Sequence, residues 1–293
     1  MNTDQPATQA IETAHLRLEY MTGAGPRLLR LFAAGCERNL FANIPQVAWE
    51  TPNGTYHPHG GHRLWRSPEY PEVTYLPDDQ PPQVEALPDG VRITGVPDFI
   101  HGLCKTMEVR LDPAGPRVTV DHTITNLGTQ AVEIAPWAIT QMEPGGWAVA
   151  PNTPPRLNTN TYLPDRSLAL WPYTRLDDPR LRFMDDLVLV QADATVSPFK
   201  IGLRSNAGWL SYYNGGVFFR KQAQPDWGQP YPDFGCNLEV YTDNRFLELE
   251  TLGPLAPLAP GGSLSHRETW QIWAGLDTPC TPEATAELAR ALH

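Results

Sequence analysis

Apolar residues in this chain come in short bursts. Segments rich in Val, Ile, Thr and aromatics alternate with clusters of Pro, Gly, Asn and Asp at roughly ten-residue spacing, the pattern of strands joined by turns rather than of βαβ units. The spacing predicts strands over 15–21, 27–33, 46–50, 83–87, 91–96, 104–111, 117–126, 132–141, 187–192, 200–204, 208–214, 217–222, 238–242, 246–252 and 265–273. No long segment sustains a 3.6-residue apolar period. Only the tail, TPEATAELARALH, predicts a short helix, with Thr281 as N-cap, Pro282 in the first helical position and Glu283 in the first turn. Fifteen strands overfill an immunoglobulin-sized sandwich, whereas two large, twisted antiparallel sheets packed face to face accommodate them. The expected fold is therefore all-β, an antiparallel β-supersandwich with a short C-terminal helix, forming a single domain over 1–293.

Three stretches, 51–82, 143–186 and 223–236, lack any period and hold many of the Pro, Asp, Trp and Tyr residues. Long loops in a compact domain are more often functional than idle. The net charge of −11 argues against a nucleic-acid or anionic-membrane surface, because both require a basic footprint. The start, MNTDQPATQAIETAH, lacks a basic region followed by an apolar one, and no window approaches the roughly 20 apolar residues of a membrane span. A cytoplasmic protein is the expectation. Cys36, Cys104, Cys236 and Cys280 lie far apart with no CxxC, and read as free, mostly buried thiols.

Two carboxylates mark the strand over 246–252. Side chains alternate along a strand, so Glu248 and Glu250 share one face with Phe246 and Leu252. Ionised acids on a half-buried strand need partners, so this strand lines a polar cleft or an ion-pair network, unless it faces solvent. The richest polar cluster is HPHGGHRLWRSPE over 57–69, in which His57, His59, His62, Arg63, Trp65 and Arg66 surround a glycine pair. Such a loop offers acid–base capacity, a guanidinium fork and a flat apolar platform. Its histidines have no fixed spacing, which is a weak metal signal, and no metal or other cofactor is expected. In RVTVDHTITN, His122 falls on the inward face with Val118, Val120 and Ile124, as a core histidine or a ligand contact. His101, in a loop before a strand, is a candidate of similar weight. Trp137 and Trp147 flank a Gly-rich turn and suit the C–H face of a sugar, as they also suit a sandwich core. Lys221, and YPD over 231–233, sit where they reach either a cleft or a rim.

Taken together, these segments resemble the galactose mutarotase-like (aldose 1-epimerase) superfamily of carbohydrate-handling β-supersandwiches, and a bacterial branch of it in particular. GAGPRLLRLFAAGCERNL over 23–40 is similar to that family's opening strands, and HGGHRLW over 59–65 to its HGG loop. VEIAPWAITQM over 132–142 resembles the strand leading to a His-x-Tyr-Phe motif, and LETLGPLAPLAPGGSLSHRETW over 249–270 the stretch that holds the catalytic glutamate. The resemblance implies Glu250 as general base and His59 as the HGG histidine. It departs at the second histidine, where this chain offers Trp137 and has no histidine between His122 and His266. Anomer interconversion needs an acid and a base present together. The implied set is Glu250 as base, His59 or His62 as acid, Arg63 and Lys221 on hydroxyls or a carboxylate, and Trp65 or Trp137 as platform, with His101, His122 and Glu248 as further substrate contacts. Two other readings stay open: a non-catalytic sugar sensor that has lost the acid, and chemistry on a uronate matched by Arg63, Arg66 and Lys221. In each, the partner is a small sugar or sugar acid.

Overall fold

The computed structural model describes residues 7–152, 165–193 and 197–292. Among them the chain forms two ten-stranded sheets whose strand pairs are antiparallel throughout. The first sheet runs Thr8–Glu12, Leu16–Met21, Leu28–Ala33, His62–Ser67, Val132–Met142, Leu247–Leu252, Leu238–Thr242, Phe199–Leu203 and Leu168–Leu170, with Ala256–Leu258 also pairing to Val132–Met142. The second runs Leu181–Phe183, Leu187–Gln191, Trp147–Pro151, Trp209–Asn214, Val217–Gln222, Ser263–Trp273, Arg117–Asn126, Leu103–Leu111, Gly90–Thr94 and Gln83–Leu87. A small hairpin, Trp49–Thr51 with Gly54–Tyr56, stands apart from both.

One apolar core joins the inner faces, with Leu64, Ala138, Leu249, Val240 and Ile201 from the first sheet against Val120, Ile124, Phe219, Trp270 and Ile272 from the second. Burial along Arg117–Asn126 alternates as the sequence pattern requires, and His122 points inward. In the middle of the first sheet the alternation disappears. His62–Ser67 and Leu247–Leu252 are buried at every position, because the second sheet covers one face while loops and the hairpin cover the other.

That double covering explains the main departure from the sequence expectation. The HGG segment was expected to be a loop, yet His62–Ser67 is an interior strand, paired to Val132–Met142 with Trp65 opposite Trp137 and Arg63 opposite Ile139. Six further strands, Thr8–Glu12, Gly54–Tyr56, Trp147–Pro151, Leu168–Leu170, Leu181–Phe183 and Ala256–Leu258, also lie outside the expected set. The glycine pair makes the entry to His62–Ser67 possible. Gly60 and Gly61 adopt φ of 103° and 70°, and a Cβ on them would lie 2.1 Å from the Ala42 carbonyl and 2.0 Å from that of Leu28. The closing helix forms as expected over Pro282–Ala291, with the Thr281 side chain accepting from the Ala284 amide and Arg220 donating to the Ala289 carbonyl. Of the thiols, Cys104 and Cys236 are buried and Cys280 is exposed, and all four are free. Among the described residues no helix is long and apolar enough to cross a membrane.

Candidate functional site

The outer face of the first sheet carries a cleft of about 410 Å³. Alternation on five adjacent strands aims one set of side chains at it: Arg63 and Trp65, Trp137 and Gln141, Glu248, Tyr241, and Lys200. Trp49, Tyr75 and Tyr173 complete the aromatic walls, and Glu69 and Arg245 the charged rim. Trp65 and Trp137 meet edge to face at 5.3 Å, and Trp65 Nε1 donates to the Tyr56 hydroxyl, so the platform is held rigidly.

Of the two glutamates on Leu247–Leu252, Glu248 is the one that reaches this space. Arg63 Nη2 and Gln141 Nε2 both donate to its Oε1, each at 2.8 Å. Among the described residues its Oε2 has no partner, and Arg63 Nη1 and Gln141 Oε1 are likewise unpartnered. Arg63 also lies over the Trp65 ring at 4.1 Å. Burial pushes the Glu248 carboxyl up to about 7, against the pull of Arg63. The group therefore holds or yields a proton near neutrality.

Glu250, two positions on and facing the same way, is closed off beneath the cleft. It is fully buried and does not line the space. Trp137 Nε1 donates to its Oε2 at 2.7 Å and Lys200 Nζ at 2.9 Å. Lys200 also pairs with Glu239 at 2.7 Å, and its ammonium sits 4.6 Å from the ring centres of both Trp137 and Trp171. Burial opposes the lysine's charge, but Glu239 and Glu250 hold its pKa well above the ordinary value. Burial in turn drives Glu239 well above the usual carboxyl range, although Lys200 opposes it. Glu239 thus keeps its proton well above the usual carboxyl range, beside the Lys200 ammonium.

The histidines are elsewhere. His59, held at φ 57°, places Nε2 2.8 Å from Asp79 Oδ1, and His57 meets the other oxygen of Asp79 at 2.6 Å. His101 lies 3.3 Å from Arg66 Nη1. His62 points to the opposite face of its strand from Arg63, into the layer between the sheets, where it meets His122 at 2.7 Å. Nothing brings His59 or His62 to Glu250 as an opposed acid, and among the described residues no histidine borders the cleft. Lys221 is also withdrawn. It is fully buried against Glu268 at 2.7 Å, with further bonds to the Ala138 and Leu249 carbonyls. Arg63, Arg66 and Lys221 therefore do not assemble around one acidic substrate.

The inter-sheet group is a directed chain of hydrogen bonds. Lys221 Nζ donates to Thr140 Oγ1, whose hydroxyl donates to His62 Nδ1. His62 Nε2–H then donates to His122 Nε2, and His122 Nδ1–H to the His266 carbonyl. These tautomers follow from the partners, since a carbonyl and a lysine ammonium each allow one direction only. The Thr251 hydroxyl and Trp270 Nε1 donate to the two carboxylate oxygens of Glu268. Burial lowers His62 and His122 and takes His266 down to about 3, so all three are neutral. Burial works to raise Glu268, but the Lys221 ammonium pulls it below the usual range. His62, His122 and Glu268 stand close enough to chelate. Yet Lys221 already supplies the cation and each nitrogen has its partner, so this donor set fits a structural network better than a metal centre.

Sequence reasoning missed Lys200, Gln141, Glu239 and the tyrosines of the walls. Lys200 had a legible signal, a lone charge inside the apolar run FKIGL. Glu239 had one too, a lone charge inside the apolar run LEVY.

No family model matches the sequence, and no curated protein sequence matches it. Solved structures do. The Slr1438 protein from Synechocystis shares 14% identity at a TM-score of 0.58, over 92% of this chain and 97% of that one. A galactose mutarotase-like protein from Lactobacillus casei shares 13% at 0.55, over 91% and 100%. A galactose mutarotase related enzyme from Lactobacillus acidophilus shares 8% at 0.54, over 92% and 99%. The chain has the galactose mutarotase-like fold.

Proposed function

We propose that the cleft binds a neutral saccharide, one pyranose ring seated between Trp65, Trp137 and the tyrosines. The observation that carries this reading is the group Arg63–Glu248–Gln141 at the foot of aromatic walls. Aromatic faces take the C–H surface of a sugar, while an unpartnered carboxylate oxygen beside an unpartnered guanidinium nitrogen suits hydroxyls that both donate and accept. The volume lies within the roughly 300–1,000 Å³ of small-molecule sites. A uronate is disfavoured electrostatically. Arg63, Lys200 and Arg245 are each already paired with a carboxylate, and Glu69 adds another at the rim.

A second reading, anomer interconversion, is favoured by one observation, the Glu248 carboxyl held near 7 by burial. Such a group can take the anomeric hydroxyl proton and return it to the ring oxygen without an imidazole partner. A thermal-shift series with hexoses, uronates and sugar phosphates tests the binding reading, because a ligand preferring the folded state raises its apparent stability. Neutral hexoses should raise Tm and uronates should not. Uronates alone raising it would reverse the assignment. Exchange spectroscopy on the hexose that binds then separates binding from interconversion.

A further inference from the structure

We propose that the bound saccharide extends beyond the cleft and lays a second sugar ring against Phe234, which makes the ligand an oligosaccharide or glycoside rather than a free hexose. The inference rests on the sugar-binding reading above. Its starting point is a strained loop. Asp233 and Phe234 are consecutive non-glycine residues with φ of 49° and 61°, a region that L side chains enter at a free-energy cost. The loop is fixed from both sides. The Gly235 and Cys236 amides both donate to the Pro232 carbonyl, at 2.8 and 3.0 Å. Tyr231 and Cys236 on either flank are buried, and the Tyr231 hydroxyl accepts from the Asp226 amide.

This rigid loop presents Phe234 at 94% exposure, the highest of the exposed large hydrophobics among the described residues. An exposed phenylalanine gains nothing from its position in the isolated protein, and a glycine would occupy the same backbone without strain. Phe234 borders a hollow of about 190 Å³ shared with Asp233, Leu170, Trp171 and Pro172. The hollow is too small to be a ligand site alone, but it adjoins the cleft. Trp171 stacks on Lys200, which lines the cleft, and Tyr173, two residues on, lines it as well. The segment over 171–173 is thus a partition with one hollow on each side. On the outer side Phe234 and Asp233 border the same hollow, Asp233 Oδ2 lying 3.5 Å from the Ser67 hydroxyl that donates to it, and an aromatic ring with a carboxylate nearby takes a sugar's C–H face and its hydroxyls.

Isothermal titration with D-glucose, D-galactose and D-mannose, and with maltose, cellobiose, lactose and mannobiose, tests the inference on the wild type and on Phe234→Gly and Phe234→Trp. At least one disaccharide should bind about tenfold tighter than its parent hexose. Phe234→Gly should remove that gain and leave hexose affinity unchanged, while Phe234→Trp keeps it. The Tm of Phe234→Gly should stand at or above that of the wild type, which a merely structural phenylalanine would not give. Hexoses binding as tightly as every disaccharide, or a disaccharide gain that survives Phe234→Gly, overturns the inference and leaves the cleft assignment standing. Absence of any saccharide binding overturns both. Self-association that Phe234→Gly abolishes would make the residue a contact between copies, and also overturns it.

Discussion

Trp137 donates its indole N–H to Glu250 across 2.7 Å and so closes that carboxylate off from the cleft that Trp137 itself lines. Trp137 does two things at once: it walls the cleft and, with Lys200, holds Glu250 as a buried partner. Glu248 then becomes the carboxylate available to a ligand. Trp137→Phe should keep the wall and leave Glu250 short of one donor. Urea unfolding should show a loss of about 1–3 kcal/mol, with saccharide affinity changed less than about threefold.

Lys200 answers for two buried acids, Glu239 and Glu250. Lys200→Met leaves them facing each other across neighbouring strands. A loss of about 3–5 kcal/mol is expected, the usual scale for stripping one partner from a buried pair. Adding Glu250→Gln to that variant should recover part of it. Equal stability of the wild type and the single variant in urea would show that the acids are not charge-dependent on Lys200.

Titration at the cleft has a definite sign. Burial raises Glu248 from 4.5 to about 7 in the folded chain. Between those values the folded state holds a proton that the unfolded state has released, so rising pH favours unfolding. Glu239 is raised as well and acts in the same direction. Stability should fall as pH rises through about 5 to 7, and Glu248→Gln should flatten that slope in denaturant titrations at several pH values.

The inter-sheet histidines act from the other side. His62, His122 and His266 are held neutral by burial, with pKa values below the ordinary 6.5. Their stabilising contribution is fully present above about 6.5 and is lost as pH falls toward their folded values. His62→Gln keeps hydrogen-bonding capacity toward Thr140 and His122 but cannot gain a proton. Its Tm should depend less on pH below about 6 than that of the wild type. An unchanged acid limb would remove His62 from the titrating set.

The alternation of strands made the sandwich legible, together with Thr281 and Pro282 at the closing helix and the inward turn of His122. It could not reveal His62–Ser67 as a strand, because a segment covered on both faces shows no period, and a glycine pair before it reads as a loop. The same covering hid the roles of adjacent residues. His62 and Arg63 are neighbours in sequence, yet one joins the inter-sheet network and the other the cleft. The choice between Glu248 and Glu250 was beyond the sequence as well. Both share a face, and only the position of Trp137 and Lys200 above Glu250 separates them.

Gly61 tests that strand entry. A Cβ there meets the Leu28 carbonyl at 2.0 Å in a left-handed conformation, and Gly61→Ala should cost more than about 4 kcal/mol or abolish folding. Circular dichroism during urea unfolding is the check.

The most direct measurement compares calorimetric affinities of Glu248→Ala and Glu250→Gln for a hexose that the wild type binds. With Glu248 reaching the ligand and Glu250 sealed beneath Trp137, the first variant should weaken binding about tenfold or more and the second less than about threefold. The reverse order would contradict the account, returning the ligand-facing role to Glu250.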